Sequence, residues 1–414
     1  MNYNFIKRIF YIMIEKMENN TLYEAKIHLL FSLVGNGYLK DIRLFKAFLD
    51  VHLEEFVPEE FAYHVRLYDD RPALFYHQDE YNYRTISAPH MISIMLQGLA
   101  LKDNKDDLLI LGAKSGYIAA LAHKLAPEGN ITILEANAEV ARITQENLEK
   151  LNYQDKIKVI VKNPLDGMPD LAPWQKILVT GAIKQERISP LLSQLDPKEG
   201  VLFAPIGEDQ IQIYTQILRI NDEYFGKKQL QVRFTPLMTE IELDELELIT
   251  DFSEFEENAE FNAEKKEPVS VTYTSNILDD IELEPHPKMQ LPKSEIKPQD
   301  IALTFLIVIE EAIETFKSEE DAFQCRNFLN NISLLVNILE NFRKKLNLNF
   351  KKIKNSLNQL KAYNLIRQEI ASTEKSGLNS KNLDKKIDIV NKQLSEINNL
   401  QDIIKTEIIK MKKI

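Results

Sequence analysis

The feature that most constrains this chain is a short apolar run that breaks at a glycine and restarts as a helix. Residues 108–111 read Leu-Leu-Ile-Leu, residues 112–117 read Gly-Ala-Lys-Ser-Gly-Tyr, and residues 118–125 are apolar with a helical length. A strand that stops at glycine and resumes as a helix leaves bare backbone N–H groups at a helix N-terminus. That is where doubly wound folds hold nucleotide-like ligands. Gly-x-x-x-Gly after a strand is common by itself. The loop one helix upstream sharpens it: Thr85-Ile86-Ser87-Ala88-Pro89-His90-Met91, followed by an apolar run to Leu101, can turn a Ser and a Thr toward the same crevice.

Strand and helix signals alternate from there. Residues 131–134 read as a strand ending at Glu135. Residues 139–151 read as a helix with Val140, Ile143 and Leu148 on one side. Strands follow at 157–161 and 176–179, a helix at 188–195, strands at 201–205 and 211–218, and a closing segment at 232–237. This alternation predicts an α/β fold, a doubly wound and mainly parallel sheet. Upstream, residues 22–37 predict an amphipathic helix stopped by Gly35-Asn36-Gly37, with Ala25, Leu29 and Leu33 on its apolar face. Residues 41–51 continue with helical spacing up to Phe56-Val57-Pro58, and residues 65–83 read as a loop.

A chain of 414 residues holds two or three domains, and 44% hydrophobic with 28% charged residues fits a soluble globular protein. A net charge of −12 argues against general nucleic-acid binding. The one cysteine, Cys325, excludes an intramolecular disulfide and a cysteine-based zinc site, which suits a reducing cytoplasm. Lys7-Arg8 ahead of residues 9–14 mimics a secretory leader. The apolar run is short, Glu15-Lys16 interrupts it and no small-residue cleavage site follows, so residues 1–21 are expected to be an extension, with Met17 a second candidate start. No segment approaches the ~20 apolar residues of a membrane span.

After Glu240 the composition changes. Residues 240–260 hold ten acidic side chains and no basic one. Residues 240–299 are expected to be a mostly disordered acidic linker. Residues 300–414 predict a helical, coiled-coil-like region. Ala302, Phe305, Leu306, Ile309, Ile313 and Phe316 recur at three and four, as do Leu335, Ile338 and Phe342, then Phe350, Ile353, Leu357 and Leu360. The last run, Ile387, Val390, Leu394, Ile397, Ile404, Ile408 and Met411, is a heptad with Gln401 at one seam position. Ser376-Gly377 suggests a hairpin between the last two helices. From Arg343 onward 17 basic residues face 7 acidic ones. That pattern reads as a coiled coil with a solvated lysine-rich face or as a surface for nucleic acid or an acidic partner; the helices could serve self-association or a protein partner.

The loop Thr85-Ile86-Ser87-Ala88-Pro89-His90-Met91 resembles the signature loop of the protein-L-isoaspartate O-methyltransferases, a family of class I S-adenosylmethionine-dependent enzymes. Other segments agree in order. Phe56-Val57-Pro58 resembles the segment before the loop, Gly112 to Tyr117 stands at the cofactor turn, and Ala172-Pro173-Trp174 resembles Ala-Pro-Tyr. Gln194-Leu195, Pro205-Ile206-Gly207 and Arg233-Phe234-Thr235-Pro236-Leu237 continue the match, which covers about residues 22–239. The resemblance implies a Rossmann-like methyltransferase domain over that range. The implied reaction moves a methyl group from S-adenosylmethionine to the carboxylate of an isoaspartyl residue in damaged protein, a repair reaction. It assigns Ser87 to the incoming carboxylate. It puts Thr85, Ile86, Gly112, Lys114, Ser115, Gly116, Glu135 and Asn163 around the cofactor, with Glu135 on the ribose hydroxyls and Asn163 toward the adenine. No metal is implied.

The sequence departs from the family pattern mainly on the cofactor side. Ile110 replaces an acid, Lys114 a glycine, Asn163-Pro164 an Asp-Gly and Gln175 an Asp. A second reading therefore stands beside the enzyme: a protein that keeps the fold and the peptide groove without productive cofactor use.

Overall fold

The computed structural model describes residues 21–62, 67–79, 82–101, 105–208, 210–237, 286, 289, 296–317, 322–342, 346–374 and 380–413. The N-terminal extension and nearly all of the acidic stretch 240–299 lie outside the described residues. By packing, the chain divides into two compact units, Asp41–Ser294 and a second made of Met1–Lys40 with Glu295–Ile414.

The first unit is built on one seven-stranded sheet. Its strands are β3 (Leu108–Leu111), β4 (Ile131–Glu135), β5 (Ile157–Val161), β6 (Lys176–Val179), β7 (Gly200–Glu208), β8 (Ile211–Ile220) and β9 (Glu223–Val232), in the order β5-β4-β3-β6-β7-β8-β9. The pairs β4–β5, β3–β4, β3–β6 and β6–β7 are parallel; β7–β8 and β8–β9 are antiparallel. The predicted doubly wound sheet is therefore present. Every residue of β3 and β6 is buried, as strands covered on both faces must be. Helices α2 (Ile42–Asp50), α3 (Pro89–Gly98), α4 (Tyr117–Leu125), α5 (Ala138–Lys150) and α6 (Ser189–Ser193) belong to the same unit. The core beside β6 gathers Trp174, Ile177, Val179, Leu191, Leu195 and Leu202.

The strand order reverses at β3, whose neighbours are β4 and β6. The crevice outside the carboxyl ends of these strands is the ligand position of open α/β sheets.

The expected loop at 65–83 is corrected. It contains β1 (Ala73–His77), which pairs antiparallel with β2 (Tyr83–Ile86) as a separate two-stranded sheet. The alternation of burial along β1, with Ala73 and Phe75 inside, is the strand signal; the flanking Asp and Arg residues obscure it.

The second unit is helical. It contains α1 (Thr21–Asn36), α7 (Pro298–Lys317), α8 (Ala322–Glu340), α9 (Phe350–Glu374) and α10 (Ser380–Met411). The helix expected at 22–37 is thus present but packs with the C-terminal helices: the Phe31 ring meets Phe305 edge-on at 4.9 Å and Phe342 at 6.3 Å. Of the expected face Leu29 and Leu33 are buried, together with Ile27, Leu30, Phe31 and Val34, while Ala25 is exposed. All the periodic residues named for α7, α8 and α9 are buried. On α10 the heptad splits. Ile397, Ile404, Ile408 and Met411 are buried, whereas Ile387, Val390 and Leu394 are exposed. Gln401 at the seam is satisfied by Glu314 and Lys317 of α7. Among the described residues no helix is long and apolar enough to cross a membrane.

Candidate active site

The turn between β3 and α4 holds an unusual density of left-handed backbone. Gly112, Lys114, Ser115 and Gly116 have φ of 94°, 46°, 61° and 85°. Glycine adopts such angles freely; Lys and Ser do so only at a cost of ~1–3 kcal/mol each. Several bonds fix the turn. The Ala113 N–H donates to Glu135 Oε2 at 2.8 Å, and the Thr180 hydroxyl donates to the Leu111 carbonyl at 2.8 Å. The fully buried Ser115 hydroxyl donates to the Phe56 carbonyl and accepts from Asn147 Nδ2 at 2.9 Å. Ser115 therefore anchors the turn with its side chain and has only backbone to offer a ligand.

Glu135 ends β4 and is 5% exposed. Its carboxylate accepts from the Ala113 N–H and from the Asn137 N–H at 3.2 Å. Two backbone donors hold the two oxygens in place. Asn163 lies after β5, where its side-chain oxygen accepts from the Leu165 N–H at 2.9 Å. Gln175, at the position of the expected Asp, reaches back to accept from the Asp107 N–H at 3.1 Å.

The upstream loop is set by β2 and α3. Ile86 pairs with Ala73 and is 1% exposed, so its side chain is part of the fold. Ala88 is the N-cap of α3 and Pro89 fills the first turn, where its missing N–H costs nothing. Ser87 is thus not a helix cap. It is 7% exposed and makes no hydrogen bond to a described residue. Its hydroxyl has no partner in the fold and is not sealed from the cavity it lines.

Ser87 lines a cavity of about 550 Å³ together with Asp70, Thr85, His90, Lys114 and Arg233. His90 ties the loop to Asp70: one carboxylate oxygen takes the His90 N–H at 2.9 Å and sits 2.8 Å from Nδ1. Lys114, which the resemblance puts at the cofactor turn, lines the same cavity as Ser87 and Thr85. Burial lowers its ammonium to about 8, with Glu135 opposing the fall and Arg84 adding to it. Asp70 escapes the sequence reading because it sits in the stretch 65–83 that reads as a loop; Arg84, in β2, and Arg233, inside a recognised segment, carry no role in it.

The residues fit the implied cofactor where the fold demands it. The reversal of strand order, the left-handed turn at the N-terminus of α4 and the fixed acid at the end of β4 stand together. Ile110, 1% exposed, is core.

Comparison with known proteins agrees. The family model for protein-L-isoaspartate(D-aspartate) O-methyltransferase matches residues 24–242, just over half the chain. The protein-L-isoaspartate O-methyltransferase of Ignicoccus hospitalis is 35% identical over 219 residues, 52% of this chain and 99% of that one. That of Hyperthermus butylicus is 33% identical over 226 residues, 52% of this chain and 90% of its own. Among solved structures, a beta-aspartate methyltransferase of Plasmodium falciparum in complex with S-adenosyl-L-homocysteine is 25% identical, with a TM-score of 0.44, covering 51% of this chain and 97% of that one. On the family match and the length of these relatives that it spans, the chain is a member of the protein-L-isoaspartate O-methyltransferase family.

Proposed function

We propose that this protein transfers a methyl group from S-adenosylmethionine to the carboxylate of isoaspartyl residues in damaged proteins or peptides. When bound, the cofactor supplies an electrophilic methyl on a good leaving group. One O–C bond forms, one S–C bond breaks, and no proton moves. A carboxylate of ordinary pKa near ~4 is already ionised at neutral pH, so the chain needs no general base. Its task is alignment in a dry site. Opposite charges are consumed as the bond forms, so excluding water favours the reaction.

Ser87 is the residue assigned to the acceptor. Its unpartnered hydroxyl on the cavity wall is the observation that carries the reading. On the cofactor side, Glu135 takes the ribose hydroxyls. Gly112, Gly116 and the backbone of Ser115 admit the ligand to the turn, Thr85 and Ile86 hold the loop above it, and Asn163 reaches toward the base. Lys114 favours the second reading, a binding protein without productive cofactor use, because its side chain stands where glycine would leave space. Calorimetry with S-adenosylhomocysteine separates the two: the enzyme reading expects saturable one-to-one binding, and its absence would leave only the binding protein.

We assign the protein to the cytoplasm on its single, buried and free cysteine. The exposed Ile387, Val390 and Leu394 support a protein-contact role for the helical unit and a coiled-coil continuation of α10. Sedimentation that shows a monomer at all concentrations would count against self-association.

A further inference from the structure

Lys114 stands where the resembled family pattern has a glycine, and the family reading gives its side chain no role. Its backbone is left-handed, with φ of 46°, and its side chain lines the cavity that holds Ser87, Thr85, Asp70, His90 and Arg233. Its ammonium makes no hydrogen bond or ion pair with a described residue. Asp70, the one carboxylate of that cavity wall, is already taken by His90. The wall therefore presents Lys114 and Arg233 without a matching anion of its own. A desolvated ammonium beside unpaired space gains most from a carboxylate that enters with it. The proposed reaction brings a carboxylate to Ser87, in this cavity.

We infer that Lys114 is a substrate-positioning residue whose ammonium pairs with the acceptor carboxylate next to Ser87. This rests on the isoaspartyl reading above and names what replaces the family's glycine on the acceptor side. Pairing tightens acceptor binding and slightly tames the carboxylate as a nucleophile. Loss of the ammonium should therefore raise KM without lowering kcat. The pH behaviour follows from the lowered ammonium at about 8. A bound carboxylate raises that value, so affinity is full below pH 8 and falls as pH rises through it. Glu135, Arg84, Asp70, His90, Tyr83 and Arg233 are the other titratable or charged groups around it. The limb is assigned by variants of Lys114 itself.

The test uses full-length protein saturated with S-adenosylhomocysteine and titrated with a synthetic isoaspartyl peptide. Wild type, Lys114→Met and Lys114→Arg are compared from pH 6.5 to 9.5, with folding checked by circular dichroism. At pH 7 the Met variant should bind peptide about tenfold more weakly, the effect of one charge-assisted hydrogen bond, with S-adenosylhomocysteine affinity within about twofold. The Arg variant should bind like wild type at pH 7 and lose the fall above pH 8. Peptide affinity in the Met variant equal to wild type overturns the inference. So does a change confined to S-adenosylhomocysteine: weaker binding makes Lys114 a partner of the cofactor, tighter binding makes it an obstruction. A wild type that binds peptide with this pH profile but transfers no methyl sinks the methyltransferase reading and leaves the pairing standing. A wild type that binds no peptide overturns both.

Discussion

Ser87 and Glu135 divide the site between acceptor and cofactor, and each permits a prediction of its own. Ser87→Ala removes a hydroxyl with no partner in the fold, so stability should hardly change. Loss of a hydrogen bond to a charged group costs roughly 1.5–3 kcal/mol, so methyl transfer should fall about tenfold to a hundredfold. Affinity for S-adenosylhomocysteine should stay as it was; an unchanged rate removes Ser87 from the reaction. Glu135→Gln should act on the other half. It deletes the charge and turns an amide toward the Ala113 or Asn137 N–H. Cofactor affinity should drop by roughly 1.5–3 kcal/mol, with peptide affinity largely retained, as two separate titrations would read. At this scale the loop was legible because Ser87 and Pro89 lie in one contiguous motif. Asp70 was not. Its bond to His90 spans twenty residues, and nothing local in Asp69-Asp70-Arg71 announces it.

The strand–turn–helix element of β3 and α4 carries the strain of the site. Gly112 has φ of 94°, and a Cβ there would meet Thr180 Oγ1 at 2.4 Å. That hydroxyl is itself bonded to the Leu111 and Gly112 carbonyls, so it cannot retreat without breaking them. Gly112→Ala should therefore destabilise the α/β unit by about 1–3 kcal/mol, measured as a lower denaturant midpoint with unchanged slope. A midpoint equal to wild type would mean that the turn is softer than its bonds imply. The central strands were readable since burial on both faces makes them uniformly apolar. The β1–β2 hairpin was not, since its strands are five and four residues long and set among polar turns. α10 shows a subtler limit. A heptad tells which residues share a stripe but not how far along the helix a neighbour covers it. Its first three members are exposed and the later ones buried.

For the whole molecule, the family match covers the α/β unit together with most of α1, and α7 to α10 lie outside it and share a core with α1. Phe305, fully buried and edge-on to Phe31, joins α7 to α1 in that core. Phe305→Ala should cost about 3–5 kcal/mol, seen as early loss of helical circular dichroism in denaturant. No shift would argue that the helices gain their stability elsewhere. The packing of α1 with the C-terminal helices could not be read from sequence, because an amphipathic stripe does not name its partner and more than two hundred fifty residues intervene.

The central claim is that this fold, with its lysine in the turn, still performs the family's reaction. The direct measurement is transfer of labelled methyl from S-adenosylmethionine by wild type to a synthetic isoaspartyl peptide and to its aspartyl twin. The account predicts a base-labile methyl ester on the isoaspartyl peptide and none on the twin. Binding of S-adenosylhomocysteine with no ester on either peptide, or equal labelling of both, would contradict it.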